Sequence, residues 1–293
     1  VSGADDTLTW RRLWAETTEV LDDQPAARWL CEVACALDGD EFLAALDEPA
    51  TERMVAHLDA MVARYRAGEP LAYVLGRWSF RRLDLFVDRR VLIPRPETEL
   101  VAEVAIERAT ARLGAHDGPL LVADLGTGSG AIGLSLAAEL PLGRVEVWLT
   151  DASEEALDVA RANLAGLGRH GAGVRLAAGS WFSALPAELR GQLDLVVSNP
   201  PYVADADPEV APSVREWEPS AAVFSGADGL DALRAVVGEV AAWLRPGGWV
   251  VLEIGHRQGH AVRALLEAAR LTDVEVRPDL AGRERIAVAR RPG

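Results

Sequence analysis

From about residue 119 onward, short β-rich runs alternate with helical stretches. LLVAD, VEVWLT, VRLAA, LDLVVS and WVVLEI are separated by segments such as AIGLSLAAEL, SEEALDVARANLAGL and GLDALRAVVGEVAAWL. That rhythm specifies βαβ units, and therefore a mostly parallel sheet with helices on both faces. The last runs, DVEVRP and RERIAVAR, read as a closing pair of strands joined by a loop containing Gly282. In open sheets of this kind ligands bind outside the carboxyl ends of the strands, so the loops that follow each run are where function is sought.

Ahead of this region the pattern differs. Residues 1 to about 70 read as helices only: Trp10, Leu13, Trp14 and Leu21 share one helical face. Pro25 opens a second helix carrying Leu30, Val33, Ala34 and Leu37, with Gly39 behind it. Thr51 is an N-cap for a further helix with Met54, Val55, Leu58, Met61, Val62 and Tyr65, stopped by Gly68 and Pro70. We expect a helical bundle over 1–70, an extended or β-hairpin linker over 71–95, where WSFRRLDLFV and RRVLIP alternate, and the α/β domain over 96–293. The bundle holds 15 acids against 6 arginines, a net −9 of the chain's −15. Such an excess serves either as a solvated face or as a docking surface for a basic partner.

Composition excludes several classes. A broad grip on phosphate backbones depends on clustered Lys and Arg, and a net charge of −15 argues against it. Cys31 and Cys35, four apart in an apolar helical pattern, read as buried side chains, so neither a disulfide framework nor a metal site is expected. VSGADDTLTW has no basic region followed by an apolar one, and nowhere do 18 apolar residues run uninterrupted. We expect a cytoplasmic protein with no membrane contact, and a monomer.

The first loop of the α/β region is ADLGTGSG, residues 123–130. Gly126, Gly128 and Gly130, with Thr127 and Ser129 between them, let the backbone turn tightly and approach a ligand, and the next helix offers its N-terminal N–H groups. Asp151, closing the second run, is placed to accept hydrogen bonds from ribose hydroxyls. GSGAIG, Gly128 to Gly133, also fits the dinucleotide pattern GxGxxG, which alone is weak. Asp124 separates the readings, because a carboxylate repels a pyrophosphate and attracts an ammonium group. DLGTGSG resembles the first motif of class I S-adenosylmethionine (SAM) methyltransferases.

At VSNPPYV, residues 197–203, an apolar run stops at an asparagine and two prolines. Each proline fixes its own φ and pushes the residue before it toward extended geometry, so the corner is stiff. It can aim the Asn199 side-chain oxygen and the Pro200 carbonyl at one point, a match for the two donors of an –NH2 group. An amide nitrogen is a poor nucleophile, and an enzyme gains by holding its N–H groups where the nitrogen pyramidalises. Tyr202 is expected to wall a planar substrate or offer a π-face near a sulfonium.

GTGSG followed by NPPY resembles the amino-methyltransferases. RAGEPLAYVLG (Arg66 to Gly76), LIPRPETE (Leu92 to Glu99), WEP (Trp217 to Pro219) and LEIG (Leu252 to Gly255) resemble the HemK/PrmC family, which methylates a glutamine of peptide-chain release factors. The resemblance implies a Rossmann-like seven-stranded α/β domain, mostly parallel with an antiparallel last strand. It implies SAM held by Gly126 to Gly130, Asp151, Trp181 beside the adenine, and Asn199, with Asn199, Pro200, Pro201 and Tyr202 around the glutamine of a Gly-Gly-Gln loop. Class I release factors are then the partner. Where the family often has an acid before the tryptophan, this chain has Ser180. A nucleic-acid adenine or guanine methyltransferase, an enzyme of ribosomal-protein glutamine, and a non-catalytic nucleotide-binding protein are the competing readings. The charge, and the lack of a basic or aromatic reading module, weigh against direct nucleic-acid binding.

Overall fold

Trp10, Leu13 and Thr17 recur a helical turn apart and form the buried face of α1 (Trp10–Leu21) in the computed structural model, which describes residues 8–114 and 118–293. Residues 1–7, the first part of the VSGADDTLTW stretch that lacks a basic region followed by an apolar one, lie outside the described residues. In α2 (Gln24–Cys35) Pro25 sits in the first turn and the Asp23 carboxylate caps it, accepting from the Ala26 N–H at 3.0 Å. Gly39, expected as a stop, instead opens a short helix, α3 (Gly39–Ala44). Thr51 caps α4 (Glu52–Arg66). The chain then turns through Pro70 into α5 (Leu71–Leu75), so residues 71–75 are helical rather than extended. Arg64 holds that turn: its guanidinium donates to the Tyr73 and Val74 carbonyls (3.0 and 3.3 Å) while paired with Glu69.

Leu30, Phe42, Leu58, Met61 and Val74 pack into one apolar cluster, in which Trp10 and Trp14 meet the Phe42 ring edge-on at 6.4 and 5.9 Å. Because Val74 belongs to that cluster, the helical unit reaches Arg77; a second unit runs from Trp78 to Gly293. Cys31 and Cys35 are buried and free, and burial raises the Cys31 thiol to about 12.

The division falls one residue into a hairpin of β1 (Arg77–Phe80) and β2 (Leu83–Phe86), which opens the second unit. That unit continues through α6 (Pro96–Leu113), β3 (Leu120–Leu125), α7 (Ala131–Glu139), β4 (Val145–Asp151), α8 (Glu154–Ala165), β5 (Val174–Ala178) and β6 (Leu193–Ser198). Then come α9 (Pro212–Trp217), α10 (Ser220–Val223), α11 (Asp231–Trp243), β7 (Leu244–Glu253), α12 (Gly259–Ala268), β8 (Thr272–Pro278) and β9 (Glu284–Arg290). The seven strands from β3 onward form one sheet in the order β5-β4-β3-β6-β7-β9-β8. All its neighbours are parallel except β9, which runs antiparallel to both β7 and β8.

Every residue of β6 is buried, as a central strand requires. Even its Asp194 is buried, near the amino end, where it accepts from Arg112 (2.6 Å), Arg245 (3.3 Å) and the Leu121 N–H (3.0 Å). The strand order reverses between β3 and β6, and the crevice at their carboxyl ends is the topological switch point.

Candidate active site

The glycine loop leaves β3 at that switch point. Gly126, Gly128 and Gly130 have φ of 69°, 55° and 87°, values that a Cβ disfavours, so the loop folds tightly enough for α7 to start at Ala131. Asp124 fastens it from below: one carboxylate oxygen accepts from the Thr127 hydroxyl (2.7 Å) and the Gly133 N–H (2.9 Å). Its other oxygen is buried and has no partner. Burial, with a smaller contribution from the charge of Asp151, raises this carboxyl to about 6. Asn163 of α8 holds the loop from the side, donating to the Ser129 carbonyl (2.8 Å) while bonded to both backbone polar groups of Phe86. The β2 strand is thus docked on the α/β unit.

Asp151 ends β4, and its two oxygens accept from the Gly128 and Ser153 N–H groups, each at 2.9 Å. A carboxylate has about four lone-pair positions, so acceptor capacity remains for a diol. Past β5, Phe182 is fully buried and stacked on Trp243 (5.4 Å between centroids, 15° between planes). This anchors the turn that presents Trp181. Trp181 has a φ of 49°, unusual for a bulky aromatic and costing about 1–2 kcal/mol. Its indole would lie 3.5 Å from a Cβ at Gly126, so it closes over the glycine loop.

These groups line a cleft of about 330 Å³, within the usual range of small-molecule sites, about 300–1,000 Å³. Asp124, Gly126, Thr127, Gly128, Ser129 and Asp151 line it, and so do Ser180, Trp181, Asn199 and Pro201. Gly130 does not line it; it caps α7, and a Cβ there would meet Leu134 at 2.7 Å. Pro200 and Tyr202 face a second, smaller cleft of about 180 Å³. The two clefts share Asn199, Pro201, Leu92 and Ala222, so Asn199 stands at their junction.

Residues of LIPRPETE, WEP and LEIG, none of them singled out by a local pattern, meet around that junction. Pro96 starts α6 in its first turn, which turns Thr98 inward, 3% exposed. The Asn199 amide donates to the Thr98 hydroxyl at 3.3 Å, and Thr98 donates to Glu253 at 2.7 Å. Glu253, at the carboxyl end of β7 and 1% exposed, also accepts from the Tyr202 hydroxyl at 3.0 Å. Burial pushes Glu253 up, opposed by those two hydroxyls and by Arg285; burial and Glu253 push Tyr202 up. From the WEP stretch, the buried Glu218 pairs with Arg95 and accepts from the Ile93 N–H at 3.2 Å, tying it to LIPRPETE. Tyr202 is therefore held by hydrogen bonds beside the second cleft, and does not line the first.

Chemically, the large cleft offers a buried carboxylate with one unpartnered oxygen to a cation, a part-filled carboxylate to a diol, and an indole face to a flat ring. A pyrophosphate would meet two acids there, which disfavours the dinucleotide reading.

The sequence matches the family models described as PrmC N-terminal domain, over residues 12–76, and Methyltransferase small domain, over 112–215. It is 44% identical to a release factor glutamine methyltransferase of Xylella fastidiosa, over 84% of this chain and 86% of that protein. With a Burkholderia pseudomallei protein of the same name it shares 42% identity over 91% and 92%. A crystal structure of a methyltransferase from Pyrococcus furiosus is 18% identical with a TM-score of 0.50, covering 80% of this chain and 98% of that one, a likeness of fold alone. Identity of this order over nearly the whole chain, with both family models in sequence order, establishes that the chain belongs to the release factor glutamine methyltransferase family.

Proposed function

We propose that the protein transfers a methyl group from S-adenosylmethionine to the side-chain amide nitrogen (N5) of the glutamine in the Gly-Gly-Gln loop of class I release factors. The observation that carries this reading is the position of Asn199 where the two clefts join. Bound in the larger cleft, SAM supplies an electrophilic methyl on a sulfonium. Asp124 and Asp151 receive its ammonium and its ribose hydroxyls, and Trp181 covers its adenine, with the glycine loop closing beneath. Ser180 stands beside the ring as a neutral acceptor in place of an acid.

The glutamine enters from the smaller cleft. The Asn199 side-chain oxygen and the Pro200 carbonyl accept its two N–H groups, turning the nitrogen lone pair toward the methyl. No base is needed beforehand: as the N–C bond forms the S–C bond would break, leaving a neutral thioether, and the methylated nitrogen, now acidic, would give its proton to water. Pro200 and Pro201 keep both acceptors in place without a competing backbone donor. A cytoplasmic setting follows from a substrate that acts on the ribosome.

The test is labelled SAM with the full-length protein and a cell lysate, followed by purified release factor. Label in one protein band, lost when the glutamine of Gly-Gly-Gln is changed to Glu, is the expected result. Label in nucleic acid or in a ribosomal protein would replace this reading.

A further inference from the structure

An asparagine amide presents either its oxygen or its NH2 to a given direction, and the function proposed for Asn199 works only with the oxygen toward the substrate. Something must choose. The choice is made by the direction of the hydrogen-bond chain behind it. Thr98 has a single hydroxyl proton, and Glu253 takes it at 2.7 Å. Toward Asn199 the Thr98 oxygen can then only accept, so Asn199 must turn its NH2 to Thr98 (3.3 Å), leaving its oxygen for the junction of the clefts.

Against the cost of its burial, Glu253 is held as a carboxylate by the donors around it. Two hydroxyls converge on its two oxygens, at 2.7 and 3.0 Å, and the Arg285 guanidinium lies 3.4 Å from the Tyr202 hydroxyl. A protonated acid would need an acceptor for its own proton, whereas these neighbours are arranged as donors.

We propose that Glu253 and Thr98 are positioning residues: the Glu253 carboxylate fixes the direction of the Thr98 hydroxyl, which fixes the Asn199 amide with its oxygen toward the substrate. Tyr202 shares the same anchor. Its hydroxyl ties the far end of the NPPY corner to Glu253, so one buried carboxylate holds both ends of the motif. This rests on the role given to Asn199 above.

The two ends of the chain are separable by mutation. Glu253→Gln keeps shape; because Arg285 donates to the Tyr202 oxygen (3.4 Å), the Tyr202 proton holds the new amide oxygen and the new NH2 faces Thr98, which then donates to Asn199 and reverses the amide. Thr98→Val keeps volume and removes the relay, and Thr98→Ser restores it. In the full-length protein, kcat on a release factor should fall at least about tenfold in Glu253→Gln and Thr98→Val, the scale of one misdirected hydrogen bond. Thr98→Ser should stay within about threefold of the parent, and the Kd for SAM should change little in all three. The second readout does not depend on activity. The Asn199 side-chain NH2 resonances, identified by their loss in Asn199→Asp, should be protected from solvent exchange in the parent and Thr98→Ser. They should exchange rapidly in Glu253→Gln and Thr98→Val. Parent-like turnover in Thr98→Val, an equal loss in Thr98→Ser, or unchanged exchange in Glu253→Gln would each overturn the proposal. A parent that fails to methylate the release factor but shows the expected exchange pattern would instead overturn the assigned reaction and leave the relay standing.

Discussion

In the proposed reaction, two polar side chains at the ends of neighbouring strands divide the labour, Asp124 for binding and Asn199 for chemistry. Removing one preorganised acceptor in an enclosed site resembles removing one partner of an oxyanion hole, a loss of about a hundredfold or more. Asn199→Ala should therefore lower kcat by at least about that much, while SAM affinity measured by calorimetry stays within a few-fold; turnover near the parent's would sink the role assigned to it. Asp124 makes a prediction about pH. Its carboxyl, buried with one oxygen unpartnered, sits at about 6 instead of 3.8, so the folded chain holds this proton more tightly than the unfolded one. Without ligand, stability should then fall as pH rises between about 4 and about 6, by up to about 3 kcal/mol, once the buried charge forms. An ammonium group reverses the sign by giving that charge a partner. SAM should bind more tightly, and raise the melting temperature more, at pH 7.5 than at pH 5. In Asp124→Asn both dependences should flatten, and a parent whose SAM affinity is level across that range would show that the ammonium does not meet Asp124.

At the scale of elements, the cleft depends on how closely α7 lies on the sheet. Gly133 faces β4: an added Cβ would come within 2.1 Å of the Leu149 side chain and 3.0 Å of the Asp124 carboxylate. Gly133→Ala should therefore destabilise by about 1–3 kcal/mol as an overpacked contact, and weaken SAM binding by displacing Asp124. Gly238, on the exposed side of α11, has nothing within 4 Å, so Gly238→Ala should stabilise by about 0.5–1 kcal/mol through helix propensity alone. Denaturant melts of the pair test the argument, and equal signs would defeat it. The same distinction explains what sequence made visible. Burial on both faces leaves a continuous apolar signature in β3, β6 and the end of β7, whereas β8 has no buried residue and shows in sequence only as valines set between charged residues. The ends of β3, β4 and β6 marked Asp124, Asp151 and Asn199. Helices α3 and α5 were not visible: each is a short turn whose formation depends on tertiary burial, of Phe42 and Val74, rather than on its own periodicity. Thr98 and Glu253 stood inside quoted motifs without a role, since their hydrogen bond joins residues 155 apart in sequence and no local pattern encodes it.

For the whole molecule, the open matter is how an enzyme that grips a primary amide selects one protein. Such an amide is small and present throughout the proteome, so discrimination must come from a surface other than the pocket itself. The helical unit is the candidate, because residues 1–70 carry net −9 of the chain's −15. Within it several acids are paired, Glu16 with Arg12, Asp47 with Arg11 and Glu69 with Arg64. Glu19, Asp40, Glu41 and Asp59 are exposed acids outside those pairs, and Val20 and Leu43 are exposed apolar side chains, 53% and 41% accessible, on the same unit. Charge that no internal cation uses is available to a basic partner, and apolar side chains beside it give that partner something to bury against. Changing Glu19, Asp40, Glu41 and Asp59 together to their amides should lower kcat/KM on an intact release factor, by about tenfold at low salt. The effect should shrink as salt rises, because exposed charges are screened beyond about 8 Å at physiological ionic strength. SAM affinity should not move, and a short Gly-Gly-Gln peptide, which carries none of the intact factor's basic surface, should be an equally poor substrate for both forms. If the amide variant used the intact factor as well as the parent at every salt concentration, the acidic face would be a solvated surface that stabilises the bundle, and recognition would belong to the catalytic unit itself.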